Sequence, residues 1–274
     1  MRLKLLFVLF LFTNITLLGQ DKKFFFGFNI GAKFGNKNYA LRYTGWYQNE
    51  LPLVLSNQIV HQKLYELLGN QDFEFFEFNT DYGYTPAVNY GLNVGYTINP
   101  NFQATIDLNF SQPEVRTNYS IKLFDPGNQT TQEQYRVGNV FGKEGRFNGK
   151  FNLDYLFDVG KIKLIAGMQG LFLAWRMEEL VFELANEQWV HSAYTVHSVI
   201  NNVTKKTSGS GWGYGVNLGV EYRLNKKIVA QLIYQPYFSR LEYFNTKSQI
   251  AASSDYSGLI NRLEHDVTLR IQWK

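Results

Sequence analysis

The chain has 274 residues, with 27 Lys and Arg against 23 Asp and Glu for a formal net charge of +4, and it contains no cysteine. That length suits one large all-β domain or two small ones, and the lack of cysteine excludes disulfides, thiolate metal sites and cysteine nucleophiles. Beyond the N-terminal segment no run of about 18 apolar residues occurs, so no transmembrane helix is expected there.

Residues 1–20 read as a secretory signal peptide. "MRLK" is a short basic start, "LLFVLFLFTNITLL" an apolar stretch, and Gly19-Gln20-Asp21 the return to polar sequence. The run is short and broken by Asn14 and Thr16, which argues against a membrane anchor. Cleavage takes Arg2 and Lys4 with it and leaves 25 basic against 23 acidic residues, a net +2 over the 21–274 domain. The basic residues form no clustered face, so no nucleic-acid partner is expected.

Period-two alternation then recurs eight times. "FFFGFNIGAKF" sets Phe24, Phe26, Phe28, Ile30, Ala32 and Phe34 against Gly27, Asn29, Gly31 and Lys33. "VNYGLNVGYTI", "FQATIDLNF", "FNGKFNLDYLF", "IKLIAGMQG", "YGVNLGVEYRL", "IVAQLIYQPYF" and "LEHDVTLRIQWK" repeat the scheme. In a soluble sandwich the outward face carries charge. Here the polar face is Gly, Asn, Gln and Thr with single charges, and each apolar band has the length, about 9–11 residues, of a tilted transmembrane strand. Closing eight strands into a cylinder satisfies every backbone N–H and C=O, which lipid otherwise makes very costly.

Three connections are tight: Asn99–Asn101, Asp158–Lys161 and Leu224–Lys227. The other four, near 35–84, 112–146, 175–211 and 239–262, are long. Strict alternation of short and long connections is the pattern of an outer-membrane barrel with short periplasmic turns and long extracellular loops. The expectation is an all-β, eight-stranded antiparallel transmembrane barrel of the bacterial outer membrane. Both termini are periplasmic, Trp273 lies in the periplasmic aromatic girdle, and the last strand pairs with the first. Pairing of loop segments such as "FEFFEF" would raise the count to ten.

"GFNIGAKF", "GYTINPNFQATIDLNFSQ", "GVNLGVEYRLNKKIVAQLIYQ" and the C-terminal "LRIQWK" resemble the outer-membrane β-barrel domain family abundant in Bacteroidota, which includes PorT-like proteins. The resemblance covers most of the chain outside the long loops. It implies the fold and compartment and carries over no catalytic residue. Some relatives serve type IX secretion or gliding, and no stretch places this chain on that branch. The resemblance also implies that the last strand, through Leu269, Ile271 and Trp273, is the signal read by the barrel assembly machinery. Lys274 follows Trp273, a departure from a terminal aromatic.

Few residues suggest chemistry. "GSGWGYG" leads into a strand rather than a helix, so it lacks the context of a phosphate loop and reads as glycines on one strand face. His61, His191, His197 and His265 lack metal-ligand spacing. His191 and His197, with Ser192 and Ser198, lie in a loop without a triad signature. No cofactor, metal or catalytic set is expected. The lumen-facing ionisable residues, Lys33, Asp107, Asp154, Lys163, Glu221, Arg223, Glu264, Asp266 and Arg270, form the main candidate. An eight-stranded barrel is just wide enough to be filled by side chains, so these groups read as a salt-bridge plug, with a gated narrow pore as the alternative.

In the first long loop, Ser56–Asn70 is a predicted helix with Ser56 as N-cap, Gly69 as stop and Ile59, Lys63, Leu64, Leu67 and Leu68 on one face. It caps the barrel mouth or docks on a partner. The aromatic "DFEFFEFNTDYGY" after it is a strand rising above the membrane or a contact surface. The function expected is non-enzymatic: a scaffold or accessory subunit that contacts outer-membrane lipid and presents its loops to envelope protein partners. A small-solute pore and a rim enzyme acting on lipid or peptide are the alternatives.

Overall fold

A computed structural model of the chain describes residues 23–40, 43, 50–79, 81–124, 133–191, 194–195, 205–206, 208–243 and 260–274. The expected signal peptide and His197 lie outside them. The strands are β1 (Phe24–Phe34), β2 (Asp72–Phe78), β3 (Ala87–Asn99), β4 (Phe102–Ser111), β5 (Glu114–Phe124), β6 (Gln134–Val159), β7 (Ile162–Leu184), β8 (Glu187–His191), β9 (Tyr194–Thr195), β10 (Lys205–Lys206), β11 (Ser208–Arg223), β12 (Ile228–Tyr243) and β13 (Ile260–Trp273). Three helices, α1 (Lys37–Ala40), α2 (Glu50–Ser56) and α3 (Gln58–Leu67), lie between β1 and β2.

Eight strands close a ring in the order β1-β3-β4-β6-β7-β11-β12-β13, with β13 returning to β1. The seam is antiparallel, with Phe26 opposite Trp273 and Lys33 opposite Asp266. Alternation then sorts the side chains. Phe28, Ile30, Leu92, Val94, Ile106, Leu108, Phe151, Met168, Leu218 and Leu232 are exposed on the outside, while Asn29, Asn93, Gln103, Asn148, Asn152, Gln169, Asn217, Gln231 and Gln235 are buried inside. Such an inverted distribution is unfavourable in water and favourable in lipid, because the exposed apolar rows then face acyl chains.

Along β1 the band from Phe24 to Phe34 spans about 25 Å of bilayer at a strand tilt near 40°. Aromatic pairs mark its two borders. Phe24–Tyr96 (4.8 Å between centroids), Phe26–Trp273 (5.6 Å) and Tyr155–Phe157 (4.6 Å) lie at the short-turn end. Tyr90–Phe110 (5.7 Å) and Tyr214–Phe238 (6.0 Å) lie at the long-loop end.

Local chemistry makes the tight turns. The Asn99 carboxamide oxygen accepts from Asn101 N (2.9 Å), and that of Asn225 accepts from Lys227 N and Ile228 N (both 2.8 Å). Gly160 takes φ +67° between β6 and β7, where a side chain would be strained.

The long connections differ from expectation. Residues 112–146 and 175–211 include strand rather than irregular loop. Strand β6 has 26 residues and β7 has 23, so both continue past the apolar band. Beyond the break at Gln112-Pro113, β5 extends the line of β4 along β6; β2 pairs with β5, and β8 folds back on β7. "FEFFEF" therefore does form a strand, stacked above β3 on the same flank and adding nothing to the ring of eight. Above the lipid the outer face no longer has to be apolar, so the alternation inverts: β5 turns Val115, Tyr119, Ile121 and Leu123 inward and its polar residues outward.

The wall formed by β2, β5, β6, β7 and β8 is apolar on its inner face, and the helices cover it. Leu51, Leu55 and Leu64 are buried against Phe73, Ile121, Val140, Leu180 and Phe182. Two details of the predicted helix are corrected. Its N-cap is Asn57, whose side chain accepts from Ile59 N and Val60 N, because Ser56 ends the preceding helix. Its buried stripe is Val60, Leu64 and Leu68 at spacing four; Ile59 and Leu67 are 80% and 45% exposed. Gly69 and Asn70, both at positive φ, end the helix.

Candidate functional site

The interior of the barrel is where the predicted ionisable residues meet. On β1, Lys33 lies 3.6 Å from Glu264 and 3.7 Å from Asp266 of β13, and it donates to the Tyr237 hydroxyl of β12. Tyr237 donates onward to Glu264 at 3.1 Å. Lys150 of β6 donates to Asp266 (2.6 Å) and to Gln235 Oε1 (3.0 Å), and Gln235 donates to Asn217 Oδ1 (3.0 Å). Asn217 in turn donates to Asp154 at 2.6 Å. Arg270 closes the lower part of the network, with Nη2 2.5 Å from Asp107 and Nη1 3.6 Å from Asp154, while Asn152 donates to Asp107 at 2.9 Å.

At the long-loop end Arg146 donates to Glu264 at 2.5 Å and also to Glu144. Glu144 accepts from the Tyr43 hydroxyl at 2.7 Å. The guanidinium lies 4.7 Å from the Tyr84 ring centroid and 5.8 Å from that of Tyr39, and Tyr39 donates to Ser239 O at 3.0 Å. One chain of contacts thus runs from the helical cap down through the barrel. Beyond the bilayer band, burial and the neighbouring Glu144 carboxylate push the Tyr43 hydroxyl well above its ordinary value of 10.0, so it is held neutral as a donor.

Four buried cations, Lys33, Arg146, Lys150 and Arg270, stand among five buried carboxylates, Asp107, Glu144, Asp154, Glu264 and Asp266. Charges taken out of water are tolerable only when paired and hydrogen-bonded. Leu156, Ile165 and Ile233 form a small apolar cluster on the inner face of β6, β7 and β12. Glu221 lies lower in the lumen and accepts from Lys274 (2.9 Å) and Gln231 (2.8 Å).

Of the nine predicted residues, six join the central network: Lys33, Asp107, Asp154, Glu264, Asp266 and Arg270. Glu221 belongs to the separate pair with Lys274. Lys163 and Arg223 do not join. Lys163 is half-buried at the short-turn rim, 3.2 Å from Asp158 and bonded to Pro100 O, and Arg223 is exposed at the end of β11. Long cationic side chains at a strand end reach water more easily than they turn inward.

Sequence reasoning passed over Glu144, Arg146 and Lys150. Counting back by twos from Asn152 along β6 reaches all three: Lys150 lies on the polar face of the expected strand "FNGKFNLDYLF", and Arg146 and Glu144 continue that inward row into the expected loop. It also passed over Tyr39 and Tyr43, for which no local signal exists, and Tyr237, which shares the inward parity of Gln231 and Gln235 on β12. The row Gly209, Gly211, Gly213 and Gly215 is on the inner face of β11, a strand as expected. A Cβ on Gly215 would meet Tyr237 Cβ at 2.6 Å, so the glycine admits the ring that Lys33 contacts.

The described histidines form no common site. His61 is 3.2 Å from Asp72 and stacks on Phe73, His265 faces outward between Phe34 and Tyr234, and His191 ends β8. Among the described residues no group of His, Asp and Glu is placed to hold a metal ion.

Leu269 is exposed on the outer face of β13, Ile271 and Trp273 are half-buried there, and the Trp273 ring stacks on Phe26. Arg270 and Gln272 fill the lumen between them.

Comparison with known proteins agrees with this architecture. Residues 64–253, well over half of the chain, match the family of the outer membrane protein beta-barrel domain. The solved structure of Neisserial surface protein A aligns over 92% of this chain and 96% of that one, at 10% identity and a TM-score of 0.41. The outer membrane protein OprG from Pseudomonas aeruginosa aligns over 92% and 94%, at 9% identity and a TM-score of 0.37. No curated protein matches the chain. The closed ring of eight, its lipid-facing rows and the match over residues 64–253 place the protein in the outer membrane protein beta-barrel domain family.

Proposed function

We propose that the protein is a sealed, non-enzymatic outer-membrane barrel that serves as a scaffold or accessory subunit and presents its long-loop end to envelope protein partners. The observation that carries this reading is the filling of the lumen. The network from Tyr43 to Asp107, the apolar cluster of Leu156, Ile165 and Ile233, and the helices packed against the wall above them fill the lumen with buried side chains. A conducting barrel of this width would need those groups to part, and separating buried ion pairs is costly.

In this reading the short turns and both termini face the periplasm and the tall wall faces the exterior. Residues 1–20 act as the export signal, and Leu269, Ile271 and Trp273 address the chain to the barrel assembly machinery. The family resemblance to Bacteroidota PorT-like barrels makes a secretion-related complex the first place to look for a partner. Single-channel recording in planar bilayers should show no steady large conductance, and crosslinking of intact cells followed by detergent extraction should recover a partner bound to the wall or its loops. A stable open channel, or a chain that always purifies alone, would overturn the proposal.

A further inference from the structure

Lipid accounts for exposed apolar side chains as far as the girdle at the long-loop end, and for none above it. Val137 lies ten residues beyond Phe147 on β6, about 25 Å higher at the strand tilt of such barrels. Yet Val137 is 62% exposed, and Phe76, Tyr135 and Phe124 are 47%, 41% and 40% exposed.

The register puts these residues on one face. Glu74, Lys122 and Tyr135 stand in one row across β2, β5 and β6, and Glu77, Ser120 and Val137 in another. Phe73 and Phe75 occupy the opposite face, paired with Leu123 and Ile121, and Arg136, paired with Ile121, shares that inner face. A bulge between Phe75 and Glu77 displaces Phe76, whose ring lies 4.7 Å from Tyr135. The outer patch is therefore aromatic and acidic. Glu74, Glu77 and Glu133 surround the single cation Lys122, which already pairs with Glu133 at 2.5 Å. Beside the patch, β2 pairs with no strand but β5 among the described residues. Charges and a bulge blunt an edge against indiscriminate pairing, but they do not account for four exposed apolar side chains gathered beside it.

We infer that this edge and outer face of β2 accept an extended cationic segment of another envelope protein, added as a strand with its Lys or Arg side chains over Glu74, Glu77 and Glu133. The inference rests on the scaffold reading above and names the face and the chemistry of the partner. Strand addition supplies backbone hydrogen bonds, and alternate side chains supply selectivity. Cations over Phe76 and Tyr135 add ring contacts to the ion pairs. A second copy of this chain fits poorly, because two β2 edges would oppose Glu74 and Glu77 to themselves. Phosphate-bearing lipid headgroups meet the same repulsion.

The test uses the full chain in zwitterionic micelles and a fluorescent, end-capped peptide of alternating Lys and Val, followed by anisotropy with empty micelles subtracted. Saturable binding is expected, weakened about tenfold in the E74Q/E77Q double variant through loss of two exposed charge contacts. It should be abolished when alternate peptide amides are N-methylated, because edge pairing needs those donors. Both substitutions lie on an exposed face, and retention of the heat-modifiable band in gels confirms the folded barrel. Equal binding by the N-methylated peptide, by an Asp-Val counterpart or by the double variant would overturn the inference, as would absence of binding. None of these outcomes touches the conductance and crosslinking results that decide the scaffold reading.

Discussion

Arg270 offers the sharpest test of how the lumen is held together. Its side chain is fully buried, and it is the only cation that lies within 4 Å of Asp107 and Asp154 among the described residues. Arg270→Met keeps much of the volume and removes the charge. Asp107 then retains the Asn152 donor and Asp154 the Asn217 donor, but neither carboxylate keeps a counter-charge. Removing one partner of a buried pair costs about 3–5 kcal/mol, because an uncompensated charge stays behind. At about 2 kcal/mol per molar of urea, the unfolding midpoint should fall by about 2 M. Equilibrium unfolding in lipid vesicles, read by tryptophan emission and by heat-modifiable mobility in gels, measures the shift. The control is the triple variant D107N/D154N/R270M, in which nothing charged is stranded, and it should recover more than half of the loss. An unchanged midpoint in Arg270→Met would refute the reasoning, and so would a triple variant as unstable as the single one.

Three further outcomes follow from other contacts. In Gly142→Val the new Cβ would sit 2.1 Å from the Tyr43 ring, so the cap should lift; faster proteolysis within residues 35–84, with an intact barrel, is the expected readout. Because Tyr43 is held neutral with its ionisation raised, its contribution is fully present below pH 10.0, the ordinary tyrosine value, and is lost as pH rises above it. Hydrogen exchange of the cap should therefore quicken in strong alkali, and less so in Tyr43→Phe. Trp273→Ala removes the stack on Phe26 and the contact with Phe28, a loss of about 0.5–1.5 kcal/mol beyond the buried area; folding into vesicles should slow, and stability should drop modestly in the same urea assay.

The ring was legible because lipid imposes one rule on every strand it touches. From Phe24 to Phe34 and from Leu263 to Trp273, each odd-even choice in the sequence is a choice between acyl chain and lumen. That parity also locates Asn29, Asp107, Asp154, Asp266 and Arg270 inside. The rule stops at the bilayer surface. Above it the parity inverts: along β5 the apolar Val115, Tyr119, Ile121 and Leu123 turn inward beneath the cap and Glu114, Arg116, Asn118 and Lys122 turn outward, so a search for lipid-facing apolar rows passes over residues 112–146, and over Glu144 and Arg146 with them. Asn57 rather than Ser56 is the helix cap because a second helix runs up to Ser56, and Ile59 and Leu67 turned to solvent depend on which side of α3 meets the wall, a tertiary choice that helical periodicity cannot reveal. Tyr237 was within reach of the same parity, two residues beyond Gln235, and the neighbouring Gly215 makes room for its ring in the lumen.

The seam between β1 and β13 has a consequence for biogenesis. Lys33 and Asp266 come from the first and last strands of the ring, so the contact between them cannot form until all eight strands have been made. Until then both closing strands carry unpaired backbone and naked greasy flanks. Closing the ring is then a zipper pulled shut between strands that lie farthest apart in the sequence.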